Sequence, residues 1–404
     1  MSATMRTGSG GAGDRSRPDI LFVITDFQVG GSERQLALLA STLAKDGMNV
    51  AVFGFMDGPV RAELRRAGVE PILAWGAVRF QGKIPVSLPL AAAHLLLLML
   101  RQRPRMAHFF LPAAYLVGAP LAVLAGVPVR IMSRRSLNDY QKNRFFKIFE
   151  RQLHGFMHAI LGNSSRIVGQ LIDEGAKPER LGLIYNGVDN LKYQVSGGRA
   201  AYRERQGISP NALVMCMVAN LIPYKGHRDL IAALAIASPS LPTGWRLLVV
   251  GRDDGIGRDL KELVARNNLR DNVMFLGPQV DVAPILATCD IGILVPSGNE
   301  GLSNSILEGM AAGLPMIVTN IGGNAEVVID GVTGLVVPAE DPAGLSNAII
   351  RLAGDQTLRA KAGDAGRKRA VEYFSVDRFV DGHRKLYEAL AAGRRPCDVA
   401  ELRV

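Results

Sequence analysis

The feature that most restricts what this chain can fold into is a rhythm that is played twice. Short β-rich runs alternate with helical stretches from residue 20 onward, and the same alternation starts again at residue 213. In the first round, strands are expected at 20–24, 49–55, 71–74, 106–109, 129–132, 159–162 and 181–185. Helices fall between them at 32–43, 61–67, 89–101, 113–125 and 164–174. In the second, strands at 213–219, 245–250, 273–276, 291–295, 316–319 and 334–337 alternate with helices at 227–237, 258–267, 282–287, 303–312 and 342–352. Strand, helix, strand in regular succession implies parallel sheets covered on both faces, so the expectation is an α/β protein of two doubly wound parallel-sheet domains. The domains are placed at 18–195 and 196–375, with a polar joint near 189–205 that contains Ser196-Gly197-Gly198. A final helical segment, 376–393, is expected to pack back across the joint. Residues 1–17 are Gly, Ser, Thr and Arg without an apolar core and read as a disordered tail, not a signal peptide.

Charge divides the chain unevenly. Residues 1–200 hold 25 Lys and Arg against 14 Asp and Glu; the remainder holds 22 against 23, so the whole excess of +10 comes from the first half. A basic half suits an anionic partner such as a phosphorylated lipid, an anionic membrane or nucleic acid; clustered solubility charge is the alternative. The three cysteines, Cys216, Cys289 and Cys397, are widely spaced, which excludes a disulfide framework and a metal-ligand spacing and suits a reducing cytoplasm. The apolar run 84–100 contains two prolines and a histidine and is short for a membrane span. A buried or surface-docked helix is expected there, with a monotopic membrane contact as the alternative.

The densest chemistry lies in 289–334. A strand ending at Val295 is followed by Ser297-Gly-Asn-Glu-Gly-Leu-Ser-Asn304 and then by a helix. Ligands of open α/β sheets bind beyond the carboxyl ends of strands, and the amides of Gly301, Leu302, Ser303 and Asn304 at a helix N-terminus suit a diphosphate. Glu300 and Glu308 are placed to take hydroxyl hydrogen bonds from a sugar or ribose. Lys225, in the strand-to-helix loop Asn220-Leu-Ile-Pro-Tyr-Lys-Gly-His227, is placed to neutralise phosphate. Gly30 and Gly31 follow the first strand, yet the Gly-x-Gly-x-x-Gly dinucleotide fingerprint is absent there.

With these residues assembled, the sequence resembles the GT-B glycosyltransferases of family 4 over roughly 18–390. The motifs that carry the resemblance are Gly30-Gly31-Ser-Glu33, Gly162-Asn-Ser-Ser165, Asn186-Gly187-Val-Asp189, Lys225-Gly226-His227, Gly251, Gly277, Glu300-x7-Glu308, Gly313-Leu-Pro315 and Gly322-Gly323. The resemblance implies two Rossmann-like domains facing a cleft and retaining transfer from a UDP- or GDP-linked hexose, with no metal and no other cofactor. Lys225 would bind the diphosphate with the amides of 301–303; Glu308 would hold the ribose and Glu300 the transferred sugar. Gly31 would approach the donor phosphate, and Gly251 and Gly277 would flank the base. The acceptor, bound by the first domain, would be a glycan or polyprenyl-diphosphate-linked glycan in cell-surface polysaccharide synthesis. The enzyme would be cytoplasmic, with a peripheral seat on the inner face of an anionic membrane as the accompanying expectation.

Two departures stand out. Asn220 replaces the family's arginine, with Arg228 or Arg34 as substitutes, and Arg135 stands in Ser133-Arg-Arg-Ser136 where a histidine is common. Guanidinium cannot act as a base, but it can grip an acceptor phosphate. His108 is a second candidate in the first domain; a core-edge histidine is the alternative. Arg101, Arg103, Arg105 and the basic-aromatic stretch 142–151 are candidate acceptor or membrane contacts. The competing readings are a nucleotide-sugar-binding regulatory protein with a decayed site, a nicotinamide oxidoreductase or epimerase, and a nucleic-acid binder. Intact Lys225, Glu300 and Glu308 oppose the first, and the missing fingerprint opposes the second.

Overall fold

The computed structural model describes residues 17–76, 87–137, 144–193 and 199–403. The expected tail over 1–16, residues 84–86 of the apolar run, Lys142 and the Ser196-Gly197-Gly198 stretch lie outside them. The first sheet has seven strands: β1 Ile20–Asp26, β2 Val50–Met56, β3 Pro71–Leu73, β4 Met106–Phe110, β5 Val129–Arg134, β6 Ala159–Gly162 and β7 Leu181–Leu183, in the order β3-β2-β1-β4-β5-β6-β7. The second has six: β8 Val214–Val218, β9 Arg246–Val250, β10 Val273–Gly277, β11 Ile291–Leu294, β12 Met316–Thr319 and β13 Gly334–Val337, in the order β10-β9-β8-β11-β12-β13. The strands pair in parallel. Central strands such as Ile20-Leu-Phe-Val-Ile24 are apolar at every position and buried, because helices cover both faces of a parallel sheet.

Strand order reverses between β1 and β4 in one sheet and between β8 and β11 in the other. Loops on either side of such a reversal diverge and leave a crevice at the carboxyl ends, so each sheet supplies one natural ligand site. The sheets change over between Leu183 and Val214. Packing density divides the chain earlier, into a unit of residues 1–133 with 152–159 and a unit of 134–151 with 160–404. The ends of β6 and β7 therefore share a unit with the second sheet.

Two helices differ from expectation. Gln356–Phe374 has no large apolar stripe; its buried face is Ala362, Gly363, Gly366, Ala370 and Phe374. Gly363 packs so closely that a side chain there would meet the Gly313 carbonyl at 2.1 Å. Arg199–Arg205 occupies part of the expected polar joint. It is seated by Arg203, buried, which donates to the Thr288 and Ala212 carbonyls and pairs with Asp290 at 3.0 Å.

Candidate functional site

In the second unit, the loop after β8 runs through one tight turn, Pro223–Lys225, to Gly226 and the helix His227–Ala237. Gly226 has φ +83°, and a side chain on it would lie 1.8 Å from the Val295 carbonyl oxygen. Only glycine lets this loop press against the end of β11. Ser297 donates to the Tyr224 carbonyl at 2.8 Å and ties the loops together. The contact delivers Lys225 to Glu300: Nζ lies 2.5 Å from Oε2, with the side chains 15% and 10% exposed. Two residues 75 positions apart thus form one pair at the reversal point of the second sheet.

The loop carrying Glu300 is forced into its shape. Asn299 has φ +55°, a left-handed conformation uncommon outside glycine. Gly322 lies against it so that a Cβ would meet the Glu300 carbonyl at 2.2 Å, and Gly323 N–H donates to the Gly301 carbonyl at 2.5 Å. The helix Asn304–Ala311 then begins with Ser303 at its cap, whose hydroxyl makes no capping bond to the helix, and with no acid in its first turn. Amides and helix dipole there favour an anion. Glu308 lies in the second turn of this helix and is partly buried.

Asn186 explains why the loop stays put. Its Nδ2 donates to the Leu302 carbonyl at 3.0 Å and to Asn304 Oδ1 at 2.7 Å; its Oδ1 accepts from Arg135 Nη1 at 2.5 Å and Asn163 Nδ2 at 3.2 Å. All four hydrogen-bonding capacities of the amide are used. Gly301 completes the clamp: a side chain there would meet the Arg135 carbonyl at 2.4 Å and Asn163 Oδ1 at 2.8 Å. Side chains that follow β5, β6 and β7 therefore hold the anion loop of the second sheet.

Arg135 is part of this clamp. Its guanidinium is buried, bonded to Asn186 and stacked 5.5 Å over the Phe379 ring, and burial pulls its pKa down to about 10. In this position it holds Asn186 and, through it, the 302–304 loop. Gly187 likewise allows close packing, since a side chain would strike Phe379 at 2.8 Å. The neighbouring Arg134 is buried between Glu150 and Glu174. Asn220 accepts from the Arg252 amide at 3.2 Å and joins the β8 and β9 loops, while Gly251 lies against the Ala219 carbonyl. Gly277 has φ +66° with open space where a side chain would stand. Arg228 pairs with Asp259 at 2.9 Å on exposed surface.

In the first unit, Gly30 caps the helix Gly31–Lys45. Its missing side chain makes room for Glu33, whose Oε2 lies 2.2 Å from where that Cβ would be. Glu33 is buried; desolvation, then the nearby Asp26, raises its pKa to about 7. Leu111, directly after β4, has φ +73°, so both flanks of the reversal are specialised. His108 takes a core position. It is fully buried in β4, packed against the rings of Phe22 and Phe110 at 5.6 and 4.5 Å, and its Nε2 shares a 2.7 Å hydrogen bond with Ser133 Oγ. Its surroundings are those of a core histidine, the alternative the sequence left open.

The roles of Glu33, Asn163 and His227 are not legible in sequence, although each stands in a motif. Their importance comes from burial: His227, beside Lys225, has its pKa lowered to about 4 by desolvation and is neutral. No helix among the described residues is long and apolar enough to cross a membrane.

A family model described as glycosyl transferases group 1 matches residues 198–369, and one described as Glycosyltransferase Family 4 matches 29–190. A D-inositol 3-phosphate glycosyltransferase of Salinispora arenicola is 31% identical over 292 residues, 68% of this chain and 65% of the relative. An N-acetyl-alpha-D-glucosaminyl L-malate synthase of Bacillus anthracis is 29% identical, over 53% of this chain and 55% of the relative. This chain spans less than two thirds of the length of the curated relatives it matches. Among solved structures, Anabaena Alr3699/HepE in complex with UDP and glucose matches with a TM-score of 0.81 at 22% identity, over 93% of this chain and 100% of that one. A glycosyltransferase from Rickettsia africae matches at 0.80 and 19%, over 93% and 99%.

Proposed function

The chain belongs to the group 1 and family 4 glycosyltransferases of GT-B fold, and from that premise we propose that it transfers a hexose from a UDP- or GDP-linked donor to a glycan or lipid-linked acceptor. The observation that carries this reading is the Lys225–Glu300 pair beside the clamped amide loop. The pair joins the two functions a donor site needs. An ammonium has three hydrogens; one is directed to Glu300, and the others suit a diphosphate. The carboxylate suits the hydroxyls of the sugar carried by that diphosphate. Glu308, one turn into the same helix, is assigned the ribose hydroxyls. A structural neighbour supports nucleotide-sugar chemistry: HepE was captured with UDP and glucose.

The chemical step follows from this arrangement. As the sugar–oxygen bond lengthens, negative charge grows on the leaving diphosphate. Lys225, the amides of 301–303 and the positive end of the helix Asn304–Ala311 oppose that charge without reorganising, because the loop is already held by Asn186. We assign retention of configuration, the leaving phosphate taking the acceptor proton, and no metal; the resemblance in sequence supports these assignments. The acceptor is assigned to the β1 and β4 carboxyl ends, with a lipid-linked glycan of cell-surface polysaccharide synthesis and a peripheral membrane seat. A screen of UDP- and GDP-hexoses, with release of nucleoside diphosphate as readout, tests the proposal. Turnover of one donor supports it, and inertness toward all of them overturns it.

A further inference from the structure

The helix Leu88–Gln102 is apolar on the wrong side as well as the right one. Ala91, Leu95 and Met99 are buried against the first sheet. The opposite face presents Pro89, Leu90, Ala93 and Leu100 as exposed residues with Leu97 partly so, and Leu90 and Leu100 are 51% and 48% exposed. A surface helix of a water-facing protein normally shows polar residues there. At its start stands Trp75, 45% exposed. The indole is fixed by a parallel stack on His94 at 4.1 Å, and the Trp75 amide donates to His94 Nδ1 at 3.2 Å. Gly76 lies over Leu90, so tryptophan and leucine share one patch. At the far end of the helix, about 22 Å away at 1.5 Å per residue, Arg101, Arg103 and Arg105 are exposed; the Arg105 side chain meets Asp19 at 3.6 Å. Leu124, 73% exposed, ends the neighbouring helix Pro112–Leu124.

The charge pattern selects the occupant. Residues 71–138 contain no Asp or Glu and eight Lys or Arg. Leucines for the acyl boundary, a tryptophan of amphipathic character, and a cluster of exposed arginines of which Arg105 meets Asp19 are together the complement of an anionic lipid surface. We propose that the outer face of Leu88–Gln102, with Trp75 at one end and Arg101, Arg103 and Arg105 at the other, seats the protein flat on an anionic bilayer. This inference rests on the peripheral membrane contact assigned above and gives it an address.

The test uses the full chain and vesicles of phosphatidylcholine alone or mixed equally with phosphatidylglycerol. Co-sedimentation is expected with the mixed vesicles, and replacing Leu90 and Leu100 together by Glu is expected to weaken it by about tenfold or more. Arg101→Glu with Arg103→Glu is expected to abolish the preference for phosphatidylglycerol. The chain has two tryptophans, and Trp245 is buried. Anionic vesicles should therefore shift Trp75 emission to the blue in wild type and in Trp245→Phe, but not in Trp75→Leu. No binding to either vesicle, unchanged binding of the Leu90/Leu100 variant, or an unshifted Trp75 overturns the proposal. So does self-association in solution that the leucine variant removes, because the face would then belong to a second copy. Nucleotide titration of the same variants separates the two readings: vesicle binding without nucleotide binding sinks the sugar-transfer proposal alone, and the reverse sinks this one alone.

Discussion

The reversal points of the two sheets use the same backbone device and opposite chemistry. After β11 a left-handed Asn299 precedes Glu300, and after β4 a left-handed Leu111 precedes the next helix. After β8 a glycine lets Lys225 reach a carboxylate, and after β1 a glycine makes room for a carboxyl group. The second sheet thus gathers a cation, amides and an ionised pair, a setting for phosphate. The first gathers Glu33 near Asp26, with a pKa near 7, a setting for neutral hydroxyls. Fold supplies the crevice, and the side chains at its lip decide what chemistry it can hold.

The largest effect should come from the cation. Lys225→Ala is expected to lower donor kcat/KM by about 100- to 1,000-fold, the cost of losing a charge-assisted contact to the leaving group. Steady-state kinetics with intact circular dichroism checks it; a change of less than a few-fold would dissolve the contrast between the two sheets.

Glu33 should show the opposite dependence, on pH. Below about pH 4.5 the carboxyl is protonated folded and unfolded, so folding is unpenalised; as pH rises toward 7 the unfolded chain ionises first and wild type loses stability. Glu33→Gln is therefore expected to be more stable than wild type by about 2–3 kcal/mol at pH 8. Near pH 5 most of that difference should be gone. Denaturant unfolding at both pH values decides it, and equal gains at both would remove the neutral-carboxyl description.

Asn186→Ala should come next, at about 2 kcal/mol of stability, because it leaves Arg135 and the 302–304 loop without their shared amide. Donor affinity should fall with it, while Asn186→Asp should keep part of the Arg135 contact and lose the two donated bonds. Ser133→Ala should be smallest, about 1 kcal/mol of stability from the lost His108 bond, with nucleotide affinity untouched. A drop in affinity there would return His108 to the site.

The parallel sheets, the strand ends and the meeting of Lys225 with the Glu300 loop were legible because apolar runs and glycines speak locally. What was hidden depended on who lies opposite. Arg135 reads as an exposed ligand until Asn186 and Phe379 are seen around it, and His108 sits where alternation alone cannot tell strand middle from strand end. Gln356–Phe374 escaped because its buried stripe, apart from the terminal Phe374, is glycine and alanine, which carry little hydrophobic signal. Glu33 was visible as a letter, but its near-neutral pKa is a property of the cavity that Gly30 leaves for it.

The central claim is that Lys225, paired with Glu300, grips a nucleoside diphosphate at the end of β8. Titration calorimetry with UDP and GDP on wild type and Lys225→Ala tests it without needing the acceptor. One site in wild type, weakened at least about tenfold in the variant, is the predicted result; equal affinity in both proteins, or no site in wild type, would contradict it.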